Sequence, residues 1–144
     1  MNGNMFIEVT DFSSIVDTKS LDVIMQSEET NLDKAITQAI EEASGYLRSR
    51  YDVEATFAAT GTARNSKLVL IIADIALYNL IAWLPAKLAS EIRTLRYEYA
   101  INWLKDVQKG IIQPNLPLAG SASGTEEEHQ AIQWGSSEKN NNEW

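Results

Sequence analysis

Cysteine is absent from the sequence, and histidine occurs only once, at position 129. The lack of cysteine excludes disulfide bridges, thiolate metal sites and cysteine nucleophiles. The lack of a histidine in the body of the chain removes the general base that a Ser-His-Asp arrangement requires. Phosphate-binding motifs of the GxGxxG and Walker types are also missing. These absences point away from an enzyme, and we expect no cofactor and no metal site.

Basic residues are scarce as well, because twelve lysines and arginines stand against twenty acidic residues, for a net charge of −8. Such a surface repels duplex DNA, whose binding requires lysine and arginine to replace counterions. The charge is uneven: residues 1–43 carry a net −7 and residues 64–110 a net +3. This asymmetry suits a head-to-tail assembly of subunits, although an incidental bias of a solvated surface would look the same.

The most apolar stretch is KLVLIIADIALYNLIAWLP at residues 67–85, which only Asp74 and Asn79 interrupt with strongly polar side chains. A helix that is apolar on all sides is either buried or spans a membrane. This stretch falls short of the roughly 20 residues that a bilayer requires, and it carries a carboxylate near its middle. We therefore predict a buried central helix over 66–84, with a buried strand as the alternative for its first part.

Asp74 must be paired or protonated if this helix is buried, because an isolated buried charge is very costly. We interpret it as a buried polar clip that fixes the register of the helices. Its candidate partners are basic and phenolic side chains: Arg48, Arg50, Arg96, Tyr46, Tyr51 and Tyr99. The alternative, a catalytic carboxylate, would require a second acid or a metal that the chain does not obviously supply.

Two further segments repeat apolar residues at three- and four-residue steps, which predicts amphipathic helices over 30–51 and 86–109. The stripe of the first comprises Leu32, Ile36, Ala39, Ile40, Ala43 and Leu47. The stripe of the second comprises Leu88, Ile92, Leu95, Tyr99, Trp103 and Val107. Two short helices precede them, one at about 11–16 with Thr10 as its N-cap and one after Ser20. The predicted fold is all-α, with short N-terminal helices packed on a three-helix core.

Residues 52–65 and the C-terminal region show no helical period. The first region, rich in alanine, threonine and glycine, is predicted to be a functional or mobile loop. We divide the chain into a helical domain at 1–113 and an extended or disordered acidic tail at 114–144. His129 lies in this tail beside three glutamates, a pattern typical of a solvated charge run. The candidate interface residues come from the loop and the tail: Phe57, Arg64, Trp134 and Trp144.

Three elements together resemble a known family: SGYLRSRY at 44–51, ADIALYNL at 73–80 and YAINWLKDVQKG at 99–110. Their order and spacing are similar to those of the phage Mu-like family of short helical neck proteins, over about residues 5–113. The sequence departs from the family pattern at three places. Loop 52–65 lacks the usual prolines and leucines, Leu77 replaces a common arginine that could pair with Asp74, and the tail after 115 lies outside the family core.

The resemblance implies a head–tail connector that docks under the capsid portal as a ring, commonly of about twelve subunits. Its partners would be copies of itself, the portal protein and tail or neck proteins, while DNA passes through the lumen without specific binding. We expect it in the neck of the virion and, during assembly, in the host cytoplasm, without a signal peptide or membrane association. The alternative is a small helical DNA-binding regulator or antitoxin-like protein, with 86–109 as its recognition helix.

Overall fold

The computed structural model describes residues 6–17, 19, 22, 29–80 and 91–120. Within these residues the chain forms four α-helices and two 3₁₀ helices. The α-helices are α1 (Glu29–Leu47), α2 (Val53–Ala58), α3 (Ser66–Leu80) and α4 (Glu91–Gln108), and the 3₁₀ helices are Val9–Ser14 and Gly61–Ala63. The predicted all-α fold with a three-helix core is confirmed.

The central helix is α3, on which both α1 and α4 pack. It is buried on almost every side, as its apolar sequence predicts. Asn65 caps its beginning, since the side-chain Oδ1 accepts the backbone N–H of Leu68 at 2.9 Å. The predicted end of this helix near Pro85 lies outside the described residues. Among the helices that the structure describes, none is long and apolar enough to cross a membrane.

The first long helix, α1, buries the predicted stripe against α3, with only Ile40 left half-buried. It already includes Glu29 and ends at Leu47, so it stops short of the predicted end at Tyr51. Tyr51 is nevertheless buried, because the turn that follows α1 leads the chain back toward the core.

The prediction of a loop over residues 52–65 is wrong, because α2 and the second 3₁₀ helix lie within it. Asp52 is the N-cap of α2, and its Oδ1 accepts the N–H of Ala55 at 3.0 Å. The hydroxyl of Thr56 donates to the carbonyl of Asp52 at 2.8 Å, which satisfies a buried polar side chain. A local cap and side-chain hydrogen bonds thus stabilise a helix that the composition alone does not indicate.

The N-terminal helix is a 3₁₀ helix that begins at Val9, and Glu8 rather than Thr10 is its N-cap. The backbone N–H of Glu8 donates to Oδ2 of Asp11 at 2.7 Å, so the first turn closes two residues before the predicted start. Phe12 is fully buried, and the helix packs on α3. The second short helix, predicted after Ser20, lies outside the described residues apart from positions 19 and 22.

Gly110, two residues past the end of α4, has a positive φ of 84°, the left-handed conformation that commonly follows a helix. Residues 111–120 contain bends and turns and lie beside the connection between α1 and α2, where Leu118 and Tyr51 form an isolated antiparallel β-bridge. The N–H of Asp52 donates to the carbonyl of Pro117 at 2.9 Å, and the N–H of Ala119 donates to that of Arg50 at 2.9 Å. The first residues of the predicted tail are therefore attached to the helical body.

Candidate functional site

The most strongly buried charge in the described core is Asp74, which α3 directs toward α4. Arg96 donates a hydrogen bond to each oxygen of its carboxylate, from Nε to Oδ1 at 2.7 Å and from Nη2 to Oδ2 at 3.0 Å. The side chain of Asp74 is 1% exposed, whereas that of Arg96 is 35% exposed. This two-point pairing fixes the position of α4 along α3, because the planar guanidinium fits a carboxylate in few orientations.

Burial raises the pKa of Asp74, while the charges of Arg96, Arg93 and Lys67 oppose that rise. Burial also lowers the pKa of Arg93, which donates from Nη2 to the carbonyl of Ile15 at 3.1 Å. The carboxylate of Asp74 is thus enclosed and engaged at both oxygens. This arrangement suits a structural clip, and it leaves no open side at which a substrate could meet the acid.

The predicted inward stripe of α4 is wrong over the first half of the helix. Ile92, Leu95 and Tyr99 are 50%, 59% and 56% exposed. Trp103 and Val107 of the predicted stripe are buried, together with Ala100 and Leu104, and Arg96 points inward to Asp74. Leu88 lies outside the described residues. Pairing with Asp74 requires Arg96 to point toward the core. In this orientation the row of Ile92, Leu95 and Tyr99 lies about 90° around the helix from the side that faces the core. We call Ile92, Leu95 and Tyr99 the outer strip.

One edge of the outer strip lies against the beginning of α3. The ammonium group of Lys67 is 4.9 Å from the ring centroid of Tyr99 and 3.2 Å from its hydroxyl oxygen. A cation over an aromatic face is attractive, although an exposed pair of this kind contributes only about 0.5–1 kcal/mol. Lys67 therefore orients the Tyr99 ring while leaving more than half of the residue accessible to solvent.

A second ion pair, partly buried, joins the N-terminal segment to the body. The guanidinium of Arg64 donates to Oδ2 of Asp11 at 2.6 Å, to the carbonyl of Phe6 at 2.7 Å and to that of Gly61 at 2.8 Å. The adjacent carboxylate is the main reason that the pKa of Arg64 is raised. Arg64, predicted as an interface residue, thus has most of its donors engaged inside the chain.

Beside this pairing lies an open surface cleft of about 520 Å³, formed by the N-terminal segment, the second 3₁₀ helix and the start of α3. Three charged residues line it: Asp11 and Arg64 neutralise each other, and Glu8 is exposed to solvent. One exposed carboxylate beside a closed ion pair is too few groups to define a binding site. We assign no ligand to it.

The other predicted interface residues are placed as follows. Phe57 lies in α2, half-buried, and its ring packs edge-on against Phe6 with centroids 5.0 Å apart. Trp134 and Trp144 lie outside the described residues, as does His129 with the adjacent glutamates. Within the part of the chain that the structure describes, no three acidic or histidine side chains come together as a metal site.

Sequence reasoning missed a polar contact between α1 and α4. The hydroxyl of Tyr97 donates to Oε2 of Glu42 at 2.9 Å, and its ring stacks on Tyr78 with centroids 4.1 Å apart. Burial and the neighbouring carboxylate raise the pKa of Tyr97 to about 12. No local pattern reveals this contact, because Glu42 and Tyr97 lie 55 positions apart on different helices.

A family model described as "Bacteriophage Mu, Gp36" matches residues 6–133. No curated protein and no solved structure matches the chain significantly. The family match continues past the predicted end of the resemblance at 113, so the expectation that the region after 115 lies outside the family is wrong for residues up to 133. The match indicates no enzymatic family. Because it covers most of the 144 residues, this chain belongs to the Bacteriophage Mu Gp36 family and is a phage protein.

Proposed function

We propose that this protein is a subunit of a head–tail connector, which forms a ring between the capsid portal and the tail of the phage. The observation that most supports this role is the outer strip, three large apolar side chains that α4 presents to solvent. An apolar row of this kind on an acidic protein is typical of a surface that another protein covers. Membership of the Bacteriophage Mu Gp36 family, and the resemblance of three sequence elements to those of neck proteins, point in the same direction.

The internal pairings also suit an assembly subunit better than a catalyst. Asp74, the one buried carboxylate considered for catalysis, is fully engaged by Arg96. One ion pair joins α3 to α4, and the other joins the N-terminal 3₁₀ helix to Arg64, just before α3. The surface that meets a partner is therefore held in one shape. Preformed surfaces of this kind lose little conformational entropy on binding.

The net charge of −8 suits a channel for DNA. Acidic side chains that line the lumen of a ring would keep DNA from adhering as it passes. Lysine substitutions at acids that a structure of the assembled ring places in the lumen should slow DNA passage. Unchanged passage would remove this part of the proposal.

The role can be tested with a phage whose gene for this protein is conditionally disrupted. We expect electron microscopy to show DNA-filled heads and free tails that remain unjoined. Wild-type protein supplied in trans should restore joined particles. Leu95→Asp should not restore them, whereas Thr94→Asp, which adds the same charge at an exposed position next to the strip, should.

The opposite outcome would be a loss of phage structural proteins before any particle forms, together with salt-sensitive binding of the purified protein to duplex DNA. That result would favour the DNA-binding regulator. The described surface of α4 offers little for it, because Glu91, Glu98 and Asp106 are interspersed with the basic residues.

A further inference from the structure

Large apolar side chains are exposed at a second place, beyond the C-terminal end of α4. Ile111 is 69% and Leu118 54% exposed. Arg50 connects the chain beside both residues: its guanidinium approaches Gly110, which precedes Ile111, and its carbonyl accepts the N–H of Ala119, which follows Leu118. We call Ile111 and Leu118 the end patch. It belongs to the segment that the backbone hydrogen bonds of Arg50 and Asp52 attach to the body.

The outer strip and the end patch differ in the charges beside them. Glu91 and Glu98 are exposed and adjoin Ile92 and Tyr99 in the helix, while Lys67 contacts the opposite edge. Arg50 and Lys109, both exposed, adjoin the end patch. One edge of the outer strip is therefore acidic and the other carries Lys67, while the residues beside the end patch are basic. Contact between the acidic edge and the end patch brings opposite charges together.

The two surfaces cannot meet within one molecule. A helix rises about 1.5 Å per residue, so Leu95 and the end of α4 at Gln108 lie roughly 20 Å apart on one rigid element. An antiparallel contact of the outer strip with another outer strip would bring Glu91 and Glu98 toward their own copies. Contact between the strip of one molecule and the patch of another avoids this repulsion.

We infer that the outer strip of one copy packs on the end patch of the next copy, so that the chain associates head to tail. This inference rests on the proposed connector function and names the two surfaces that build its ring. A contact between two different surfaces closes into a ring when the rotation between subunits permits, and otherwise continues as a filament. Three apolar side chains on one surface and two on the other are few beside the roughly 20–30 residues a side of a stable interface, so free subunits associate weakly.

Because the chain contains no cysteine, single cysteines can be introduced as exclusive crosslinking sites. Leu95→Cys and Ile111→Cys change exposed residues, and circular dichroism verifies that each variant is folded. The two variants are mixed, oxidised with and without purified portal, and analysed by non-reducing electrophoresis and mass spectrometry. Thr94→Cys, also exposed but on another side of α4, replaces Leu95→Cys in the matched control.

We expect the Leu95→Cys and Ile111→Cys mixture to form disulfide-linked heterodimers several-fold faster than either variant alone and than the control mixture. Homodimers of Leu95→Cys at an equal rate would overturn the head-to-tail contact in favour of a two-fold one. Crosslinking no better than the control in the presence of portal would also overturn it. If the variants still bind the portal but do not crosslink, the assignment of the two surfaces is wrong and the connector role is unaffected. If the protein does not bind the portal at all, the connector role itself is contradicted.

Discussion

Arg96 holds Asp74 by two hydrogen bonds of 2.7 and 3.0 Å across the boundary between α4 and α3. The pair determines which side of α4 faces the core. It therefore also determines that Ile92, Leu95 and Tyr99 face solvent. A buried ion pair in this protein is thus connected, through the rotation of one helix, to the surface that we propose for assembly.

Removal of Arg96 should be costly, because it leaves a buried carboxylate without its partner. Breaking a fully buried pair costs about 3–5 kcal/mol, and we expect somewhat less for Arg96→Met, about 2–4 kcal/mol, since solvent reaches the guanidinium. The double variant Asp74→Leu/Arg96→Met should recover most of this loss. Urea unfolding measures both, with Arg48→Met, at an exposed pair with Glu41, as the near-neutral control. Equal losses for Arg96→Met and Arg48→Met would show that the pair contributes nothing.

The pH dependence of stability reports on the same carboxylate. Burial raises the pKa of Asp74 in the folded chain above the unfolded value of about 3.9. The contribution of Asp74 to stability is therefore full below about pH 4 and is lost as the pH rises through the folded pKa. We expect the unfolding free energy of the wild type, relative to that of Asp74→Asn, to fall over this range and then to level off. If the stability of the wild type relative to Asp74→Asn instead rises with pH, the attraction between Arg96 and the charged carboxylate outweighs the cost of burying that charge.

Tyr97 should make the protein sensitive to alkali. Its pKa is raised to about 12 by burial and by its hydrogen bond to Glu42, against about 10 in an unfolded chain. The stability that it contributes is full below pH 10 and is lost as the pH rises through the folded pKa. Tyr97→Phe should abolish this part of the alkaline loss, as followed by circular dichroism between about pH 10 and pH 12. An identical alkaline profile for Tyr78→Phe and Tyr97→Phe would contradict the assignment to Tyr97.

Arg64 should control the order of the N-terminal segment. The planar guanidinium of Arg64 donates to Asp11 and to the carbonyls of Phe6 and Gly61, and the ammonium group of lysine cannot make all three contacts. We therefore expect Arg64→Lys to lower the free energy of unfolding by about 1–3 kcal/mol. We expect faster hydrogen exchange across Val9–Ser14 and unchanged exchange in the middle of α3. Arg48→Lys, at an exposed pair, should change neither region. Uniformly faster exchange throughout the chain would indicate a global rather than a local effect.

The long helices could be predicted because their signal is local. Leu32, Ile36, Ala39, Ala43 and Leu47 of α1 recur at the helical period, and all of them are buried. The central helix was identified from its uninterrupted apolar sequence. Burial of an apolar stripe against a neighbouring helix is the main source of helix stability in proteins, so its period is a reliable guide.

The orientation of α4 could not be predicted from its own period. Its sequence offers two inward faces, one with Ile92, Leu95 and Tyr99 and one with Arg96 and Ala100. The choice between them depends on Asp74, a residue of another helix. Hydropathy ranks arginine as a surface residue, although its long side chain can cross apolar surroundings to reach a buried acid.

The short helix α2 was missed for a different reason. Its region is rich in alanine, threonine and glycine, a composition that also suits a loop. The local signal was Asp52 followed by Glu54 in the first turn, which favours the beginning of a helix. The contacts that hold α2 in place, from Phe57 to Phe6 and from Asp52 to Pro117, join residues distant in sequence, and no local pattern reveals them.

The measurement that tests the central proposal most directly is native mass spectrometry of the purified protein, alone and with the portal protein of the same phage. The connector role predicts a complex of defined, symmetric stoichiometry with the portal, whether or not the protein forms a ring alone. A protein that remains monomeric in the presence of its portal would contradict that role, and duplex-DNA binding would then be the next property to measure.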